Sequence, residues 1–250
     1  MIRLVTASSA RRWLACSLSA WLPQEESLPG PAAQAGNKFH KLVEGPIVAK
    51  QWVPIDPLDS GYEIPVRNAL GWLNPELADA TEVLAEQAYD LAPLGGYAKV
   101  EGQREPHWRD SMLCERLTLK GHREYPAQAG HVYGTADVVV LGKNTAHVID
   151  WKTGKKSDDH EAQLLTLALM VAEAEKVSTV KATAVYVSLQ SGKVTPVTWL
   201  FDSFDLHMHA GQVVRTCREL IGSKTPDPNP GKHCFYCPAL GCPEKLRSSR

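Results

Sequence analysis

The chain has 250 residues, of which 44% are hydrophobic and 22% are charged, which is enough for one sizeable α/β domain over residues 1–250. Its 27 basic and 28 acidic side chains give a net charge of -1, so the overall charge does not point to a polyanionic partner and any surface for nucleic acid must be local. No apolar run reaches the roughly 20 residues that a bilayer span needs, and Arg11 and Arg12 interrupt the place where a signal peptide carries its apolar segment, so we expect a soluble cytoplasmic protein without a membrane partner.

The first part of the chain predicts two helices. A short helix is expected over residues 8–16, because a serine at its start can cap the first turn. The Pro-, Gly- and Ala-rich residues 29–36 are expected to separate it from the second helix. Asn37 is the predicted N-cap of that second helix, which places His40 and Glu44 on one face.

The next part of the chain is read as a loop followed by a helix. Residues 53–74 are punctuated by prolines and glycines, which predicts a long loop. Asn74 as the cap and Pro75 at the first helical position then open an amphipathic helix, whose apolar stripe runs to Leu91. Two strand-like pieces follow, at residues 97–101 and 115–119.

A β-hairpin is the most informative pattern in the chain. Two β-branched runs at residues 137–141 and 146–150 flank a short polar turn. With Lys143 and Asn144 as the central turn residues, Asp137 lies directly opposite Asp150 on one face of the hairpin. Because strand side chains alternate, Lys152 joins these carboxylates on the same face.

The C-terminal half continues with regular elements. We predict a helix over residues 158–175, a second hairpin formed by 183–189 and 194–200, and a further helix over 206–220. The Pro- and Gly-containing residues 226–231 then mark the start of a cysteine-rich tail.

The paired carboxylates indicate metal chemistry. Two carboxylates that face each other repel, and a bound divalent cation is a common way to stabilise such a pair. Oxygen ligands of this kind suit Mg²⁺ or Mn²⁺. Lys152 would bring an ammonium beside the cation, where it can position a water or stabilise developing charge on a phosphate. The residues therefore point to metal-assisted hydrolysis of phosphodiester bonds.

Three of the six cysteines are close together in the sequence, at Cys234, Cys237 and Cys242. This clustering indicates ligation of a metal or cluster in a reducing compartment. Zinc would need a further ligand such as His233. An iron–sulfur cluster would use four thiolates, with the distant Cys16 as the fourth. The other two cysteines, Cys114 and Cys217, lie on apolar stripes and are expected to be buried thiols.

Taken together, these motifs resemble the PD-(D/E)XK nuclease superfamily. The resemblance is carried by residues 134–137 (Gly-Thr-Ala-Asp) and 149–154 (Ile-Asp-Trp-Lys-Thr-Gly). Three further features are similar to its RecB-like exonuclease branch: Gly36 with Phe39, His40 and Glu44; the helix glutamine Gln163; and the arrangement of Cys16 with Cys234, Cys237 and Cys242. The segment 7–16 also resembles phage-encoded members.

The resemblance implies a restriction-endonuclease-like α/β core with a mixed central sheet flanked by helices. It implies that His40, Asp137 and Asp150 bind Mg²⁺ or Mn²⁺, that Lys152 is the catalytic lysine and that Gln163 is an accessory polar group. Glu115 is a further candidate ligand. The four cysteines would hold a 4Fe–4S cluster, with zinc as the alternative. The bound cluster would then connect residues 1–30 to residues 226–250.

The implied function is that of a DNA exonuclease acting on free ends in recombination, repair or phage DNA processing. A homo-oligomer or a recombination partner protein belongs to the same expectation. Two alternatives stay open at this point. The first is a non-catalytic, nuclease-derived DNA-binding or assembly module, although intact Asp137, Asp150 and Lys152 argue against it. The second is an endonuclease whose specificity comes from a partner.

Overall fold

A mixed β-sheet is the centre of the fold. The computed structural model describes residues 5–25, 28–93, 112–118, 125–126, 128–156, 160–222 and 224–244. Within these residues the sheet has seven strands. They are β1 (Val5–Thr6), β2 (Glu82–Pro93), β3 (Met112–Leu117), β4 (Val132–Leu141), β5 (Thr145–Lys152), β6 (Thr179–Val187) and β7 (Val194–Phe201).

The order of the strands opens a gap beside β4. The strand order is β3-β2-β4-β5-β6-β7, and the short β1 also pairs with β4. β2 runs along one edge of β4 from Val132 to Leu141. On the other edge, β1 pairs with Val132 and Tyr133, whereas β5 pairs only from Val138 onwards. Residues 134–137 therefore lie between two diverging neighbours on that edge.

Helices cover both faces of the sheet. They are α1 (Ala10–Ala15), α2 (Leu18–Trp21), α3 (Pro31–Ala49), α4 (Glu63–Leu73), α5 (His160–Ala174) and α6 (Ser203–Ile221). One core joins α1, α5 and α6 to the sheet, and the second core joins α3 and α4 to the opposite face. The predicted α/β fold with a mixed, helix-flanked sheet is thus confirmed. None of the helices in the described part of the chain has the length and apolar character required to cross a bilayer.

The helix α5 lies at the centre of the first core. Its residues 166–173 are buried all round, because the sheet covers one side and α1 and α6 pack on the others. It can approach β4 closely because residue 134 is a glycine. A Cβ atom there would come within 2.7 Å of Leu167 Cδ2 and 2.8 Å of Met170 Sδ.

The central hairpin has the predicted register. Val138 pairs with Ile149 and Leu141 with Ala146, and the turn closes through a 2.9 Å bond from the Gly142 N–H to the Thr145 carbonyl. The ladder stops one pair before Asp137 and Asp150, where the strands diverge. The helices and the second hairpin of the C-terminal half also match their predicted positions to within a few residues.

Three predictions for the N-terminal half were wrong. α3 begins at Pro31 and so includes the Pro/Gly/Ala-rich segment and Asn37, since a proline at the first helical position loses no hydrogen bond. The predicted loop is a 3₁₀ turn (Pro57–Tyr62) followed by α4. The helix predicted to begin at Asn74, with its apolar stripe running to Leu91, is instead a short 3₁₀ turn followed by strand β2.

The two predicted strand pieces beyond β2 have different outcomes. Residues 97–101 lie outside the described part of the chain. The second piece overlaps β3 at residues 115–117. Residue 118 follows the strand, and residue 119 lies outside the described part of the chain.

Candidate active site

A cleft of about 960 Å³ opens where β1 and β5 diverge beside β4. Its walls come from α3, β2, β4, β5, α5 and the turn after β1. The lining side chains are mostly polar, and those with titratable groups or amides are Asn37, His40, Lys41, Glu44, Glu86, Tyr125, Asp137, Asp150, Lys152 and Gln163. The cleft thus collects residues from both halves of the chain.

Asp137 is fixed by a backbone hydrogen bond at the point where the hairpin opens. Its Oδ2 accepts a 2.7 Å hydrogen bond from the N–H of Trp151, which replaces the ladder bond that the diverging strands no longer make. Its Oδ1 lies 3.3 Å from His40 Nδ1. The Asp137 side chain is only 6% exposed, so this carboxylate is held in one orientation at the floor of the cleft.

α3 places His40 above Asp137. Phe39 and Val43 of this helix are fully buried in the second core, which turns the intervening His40 towards the cleft. The helix comes close to the end of β5 because residue 36 is a glycine: a Cβ there would lie 2.7 Å from Thr153 Oγ1. Gly36 therefore sets the distance between the histidine and the two aspartates.

Asp150, Lys152 and Gln163 form a closed triangle of polar contacts. Lys152 Nζ is 2.5 Å from Asp150 Oδ2 and donates a 3.0 Å hydrogen bond to Gln163 Oε1. Gln163 Nε2 in turn donates a 2.9 Å hydrogen bond to Asp150 Oδ1. The first turn of α5 is thereby connected to the end of β5. Asp150 Oδ1 accepts a hydrogen bond, whereas the buried Oδ2 has the ion pair with Lys152 but no hydrogen bond within the described residues.

Glu86 is a site residue that the sequence interpretation missed. It lies in β2 between the pairs Ala85–Val138 and Gln87–Ala136, so it is opposite Asp137. Its backbone is in the left-handed region, with φ +50. Ligand atoms of Glu86, His40 and Asp137 all lie within 4.8 Å of one another. The wrong assignment of β2 as a helix hid this residue.

The charges in the cleft depend on one another. Burial raises the pKa of Asp150 to about 6, against the opposing effect of Lys152 and with a further contribution from Asp137. Burial alone would raise the pKa of Asp137 as well, but His40 and the Trp151 N–H lower it below its ordinary value. Burial disfavours a charge on His40, yet the neighbouring Asp137 raises the pKa of the imidazole. Two buried carboxylates are thus kept close together by positive partners.

These donors fit a divalent cation. Carboxylate oxygens are ligands that Mg²⁺ and Mn²⁺ prefer, and an imidazole nitrogen is acceptable to Mn²⁺. His40, Glu86 and Asp137 supply three such atoms at ligand spacing, and the neighbouring Asp150 is buried in the same cleft. Its Oδ2 is buried and accepts no hydrogen bond from the described residues, so this oxygen would retain lone pairs with which to coordinate the same cation.

The structure brings five of the six predicted active-site residues together. His40, Asp137, Asp150, Lys152 and Gln163 all line the cleft. Glu115 does not: it is exposed on β3, with Asp90 of β2 as its cross-strand neighbour.

The cysteines lie where the two ends of the chain meet. Cys16 follows α1, and Cys234 and Cys237 lie in and after a 3₁₀ turn (Lys232–Tyr236). Cys16 Sγ accepts a 3.5 Å bond from the Asn229 N–H. Arg12 interacts with both Cys16 and Cys237. Among the residues that the structure describes, no three cysteine sulfurs lie within 4.8 Å of one another.

The remaining two cysteines are buried, as predicted. Burial raises the pKa of Cys217 to about 12 and raises the pKa of Cys114 as well. Both are therefore protonated, unreactive thiols at neutral pH.

Comparisons with known proteins give one family and several similar structures. The family model of the PD-(D/E)XK nuclease superfamily matches residues 4–242. A search of the curated proteins found no match. Among solved structures, one titled SSO0001 is 13% identical with a TM-score of 0.39, covering 98% of this chain and 89% of the other. An alkaline exonuclease from Laribacter hongkongensis (LHK-Exo) is 12% identical with a TM-score of 0.32, covering 87% of each chain. Its complex with dAMP is 11% identical with the same TM-score and coverage.

Proposed function

Because the chain belongs to the PD-(D/E)XK nuclease superfamily, we propose that it is a deoxyribonuclease that uses Mg²⁺ or Mn²⁺ to remove nucleotides from DNA ends. One observation carries the proposal: ligand atoms of His40, Glu86 and Asp137 lie within 4.8 Å of one another, and the Asp150–Lys152–Gln163 triangle borders the same cleft. A non-catalytic module would have no reason to retain Asp137, Asp150 and Lys152 together in one cleft.

The cation would be held by His40, Glu86, Asp137 and Asp150. When bound, it would supply a Lewis acid that polarises the scissile phosphate and lowers the pKa of a nearby water. The chain's own residues then have separate tasks. Lys152 presents its ammonium to the developing negative charge on the phosphate. Gln163 holds Lys152 and Asp150 in place through its 3.0 Å and 2.9 Å hydrogen bonds.

The exonuclease part of the proposal is supported by the RecB-like segments around His40 and Gln163. DNA with free ends is therefore the proposed substrate, in recombination, repair or phage DNA processing. Action as a homo-oligomer or with a recombination protein is part of the same proposal. An endonuclease and a non-catalytic DNA-binding module are the competing functions that the following experiment separates.

The experiment compares digestion of end-labelled linear DNA and covalently closed circular DNA in Mg²⁺ or Mn²⁺. The wild type is expected to shorten linear DNA and leave circles intact. Lys152→Ala should abolish digestion, whereas Lys155→Ala, which removes an exposed lysine just beyond the cleft, should not. Cleavage of circles would indicate an endonuclease. DNA binding without any cleavage by the wild type would favour the non-catalytic module.

We also propose that Cys16, Cys234, Cys237 and Cys242 hold a 4Fe–4S cluster that joins residues 1–30 to residues 226–250. Support comes from the docking of the tail on the N-terminal segment: the Leu240 N–H donates a 2.7 Å bond to the Pro23 carbonyl, and the Glu25 N–H donates a 2.9 Å bond to the Pro238 carbonyl. Iron, sulfide and zinc analysis after anaerobic purification tests the proposal. Stoichiometric zinc without iron would replace the cluster with a zinc site, and Cys237→Ser should lose the bound metal in either case.

A further inference from the structure

A tyrosine ring borders the cleft but is not one of the candidate metal ligands. Tyr125 lines the cleft and is half-buried. Its ring stacks on that of Tyr133, with the centroids 5.1 Å apart and the planes at 24°. Its hydroxyl lies 2.6 Å from Thr135 Oγ1. The ring is therefore held by one face and by its polar end, and the hydroxyl already has a partner.

The support beneath Tyr125 is rigid. Tyr133 is fully buried, donates its hydroxyl to the Pro126 carbonyl and accepts a 3.2 Å bond from the Gln128 N–H. His131 also stacks on Tyr133, with the planes at 23°, and its Nδ1 lies 2.8 Å from Asp90 Oδ1. An aromatic platform fixed in this way loses little conformational entropy when a flat ligand stacks on it.

The pair of stacked rings, Tyr125 and Tyr133, is close to the candidate metal ligands. Thr135, the hydrogen-bond partner of Tyr125, is two residues before Asp137 on β4, which corresponds to about 7 Å along the strand. This is the length scale of a single extended nucleotide. A phosphate beside His40, Glu86 and Asp137 would thus have its neighbouring nucleotide at Tyr125.

We propose that Tyr125 stacks the base of the nucleotide next to the scissile phosphate. The inference rests on the proposed nuclease function and adds a substrate requirement to it. Bases stack on aromatic side chains irrespective of their sequence, because each has a π-face. A paired base inside a duplex already has neighbours on both faces, so the ring favours a base that has left the helix. Strand ends with an unpaired terminal segment are therefore the substrates that the cleft is built to accept.

The first experiment uses the wild type alone. Single-stranded oligothymidylate with a fluorescent label is bound in Ca²⁺ with one abasic residue placed at each position in turn, and binding is followed by anisotropy. We expect the affinity to fall by about five- to tenfold at one position only, as loss of a single stacked base predicts. The same oligonucleotides in Mn²⁺ locate the scissile bond, which should adjoin that position. Equal affinity for every abasic oligonucleotide would overturn the proposal.

The second experiment combines the variants with the same oligonucleotides. Tyr125→Leu should weaken binding of intact DNA by about five- to tenfold and have little effect on DNA that is abasic at the sensitive position. Tyr125→Phe keeps the ring and should bind like the wild type. Phe204→Leu, which alters an aromatic side chain that is 68% exposed on α6, is the matched control. Equal weakening of intact and abasic DNA by Tyr125→Leu would indicate a structural role and overturn the proposal.

The two proposals can fail separately. Position-specific loss of binding without any cleavage by the wild type would refute the nuclease function and leave the stacking role intact. Cleavage by the wild type with no sensitive position would refute the stacking role alone.

Discussion

At Glu86 in β2 and Asp137 in β4, the alternation of side chains that face the first core shifts by one residue. On the side of this point nearer the β4–β5 turn, Leu84 of β2 and Val139 of β4 face the first core. On the other side of it, Tyr89 of β2 and Ala136 of β4 face that core, although the register between β2 and β4 is unchanged. The left-handed backbone of Glu86 is uncommon for a residue with a side chain and costs conformational energy. That cost is understandable if both carboxylates must project into one cleft.

Replacement of Glu86 tests its role as a ligand. Glu86→Gln removes one negative charge and one anionic oxygen from the group around Asp137, so we expect the affinity for Mn²⁺ to fall by at least about tenfold. Isothermal titration calorimetry of Mn²⁺ binding measures this change. Glu115→Gln, an exposed residue on β3, is the matched control and should bind Mn²⁺ like the wild type. A larger effect at Glu115 than at Glu86 would show that the ligand set is wrong.

At the scale of the elements, the hairpin could be predicted and β2 could not. The β4–β5 hairpin keeps regular alternation and a short polar turn, which together fix the register from Val138 to Leu141. In β2 the change of face at Glu86 breaks the period of two, and Leu84, Ala88 and Leu91 then fall at helical spacing. The site residues on the hairpin, α3 and α5 were therefore accessible from the sequence, and Glu86 was hidden by the same distortion that places it.

The packing of α5 against α6 makes stability depend on pH. His209 of α6 is buried, with its Nε2 2.9 Å from Thr166 Oγ1 of α5, and burial lowers its pKa to about 4. In the unfolded chain the pKa of His209 is near the ordinary histidine value of about 6.5. Between these two pKa values His209 binds a proton only in the unfolded state, so the free energy of unfolding falls as the pH is lowered.

His209→Gln should remove this contribution. Between pH 7 and pH 5 the wild type is expected to lose about 2 kcal/mol more unfolding free energy than the variant. Urea denaturation at both pH values measures the difference. His147 and His160, whose pKa values burial also lowers to about 4, are present in both proteins and cancel. His207→Gln on the same helix controls for the loss of an imidazole, and parallel pH dependences of wild type and His209→Gln would contradict the prediction.

At the scale of the whole molecule, the two ends of the chain depend on each other. Gln24 and Ala239 form an isolated antiparallel bridge, and Asn229 Nδ2 donates a 2.8 Å hydrogen bond to the Ala15 carbonyl. These contacts cover α1, whose Trp13 is fully buried in the first core. Because α1 also packs against α5, which carries Gln163, the tail indirectly supports one wall of the cleft.

A single backbone substitution tests this dependence. Glu25→Pro removes the N–H that bonds the Pro238 carbonyl, and the preceding Gln24 is in a bridge, a conformation that a following proline accepts. One backbone hydrogen bond is worth about 1 kcal/mol, so the Leu240 amide should exchange with deuterium about fivefold faster. Glu25→Ala keeps the N–H and should exchange like the wild type. If the two variants exchange equally fast, the bridge does not hold the tail. Faster exchange in Glu25→Pro alone would show that the bridge holds the tail. If Glu25→Pro also loses metal from the cysteines, docking of the tail is coupled to metal binding by Cys16 and Cys237, as expected for a metal site that connects the two ends of the chain.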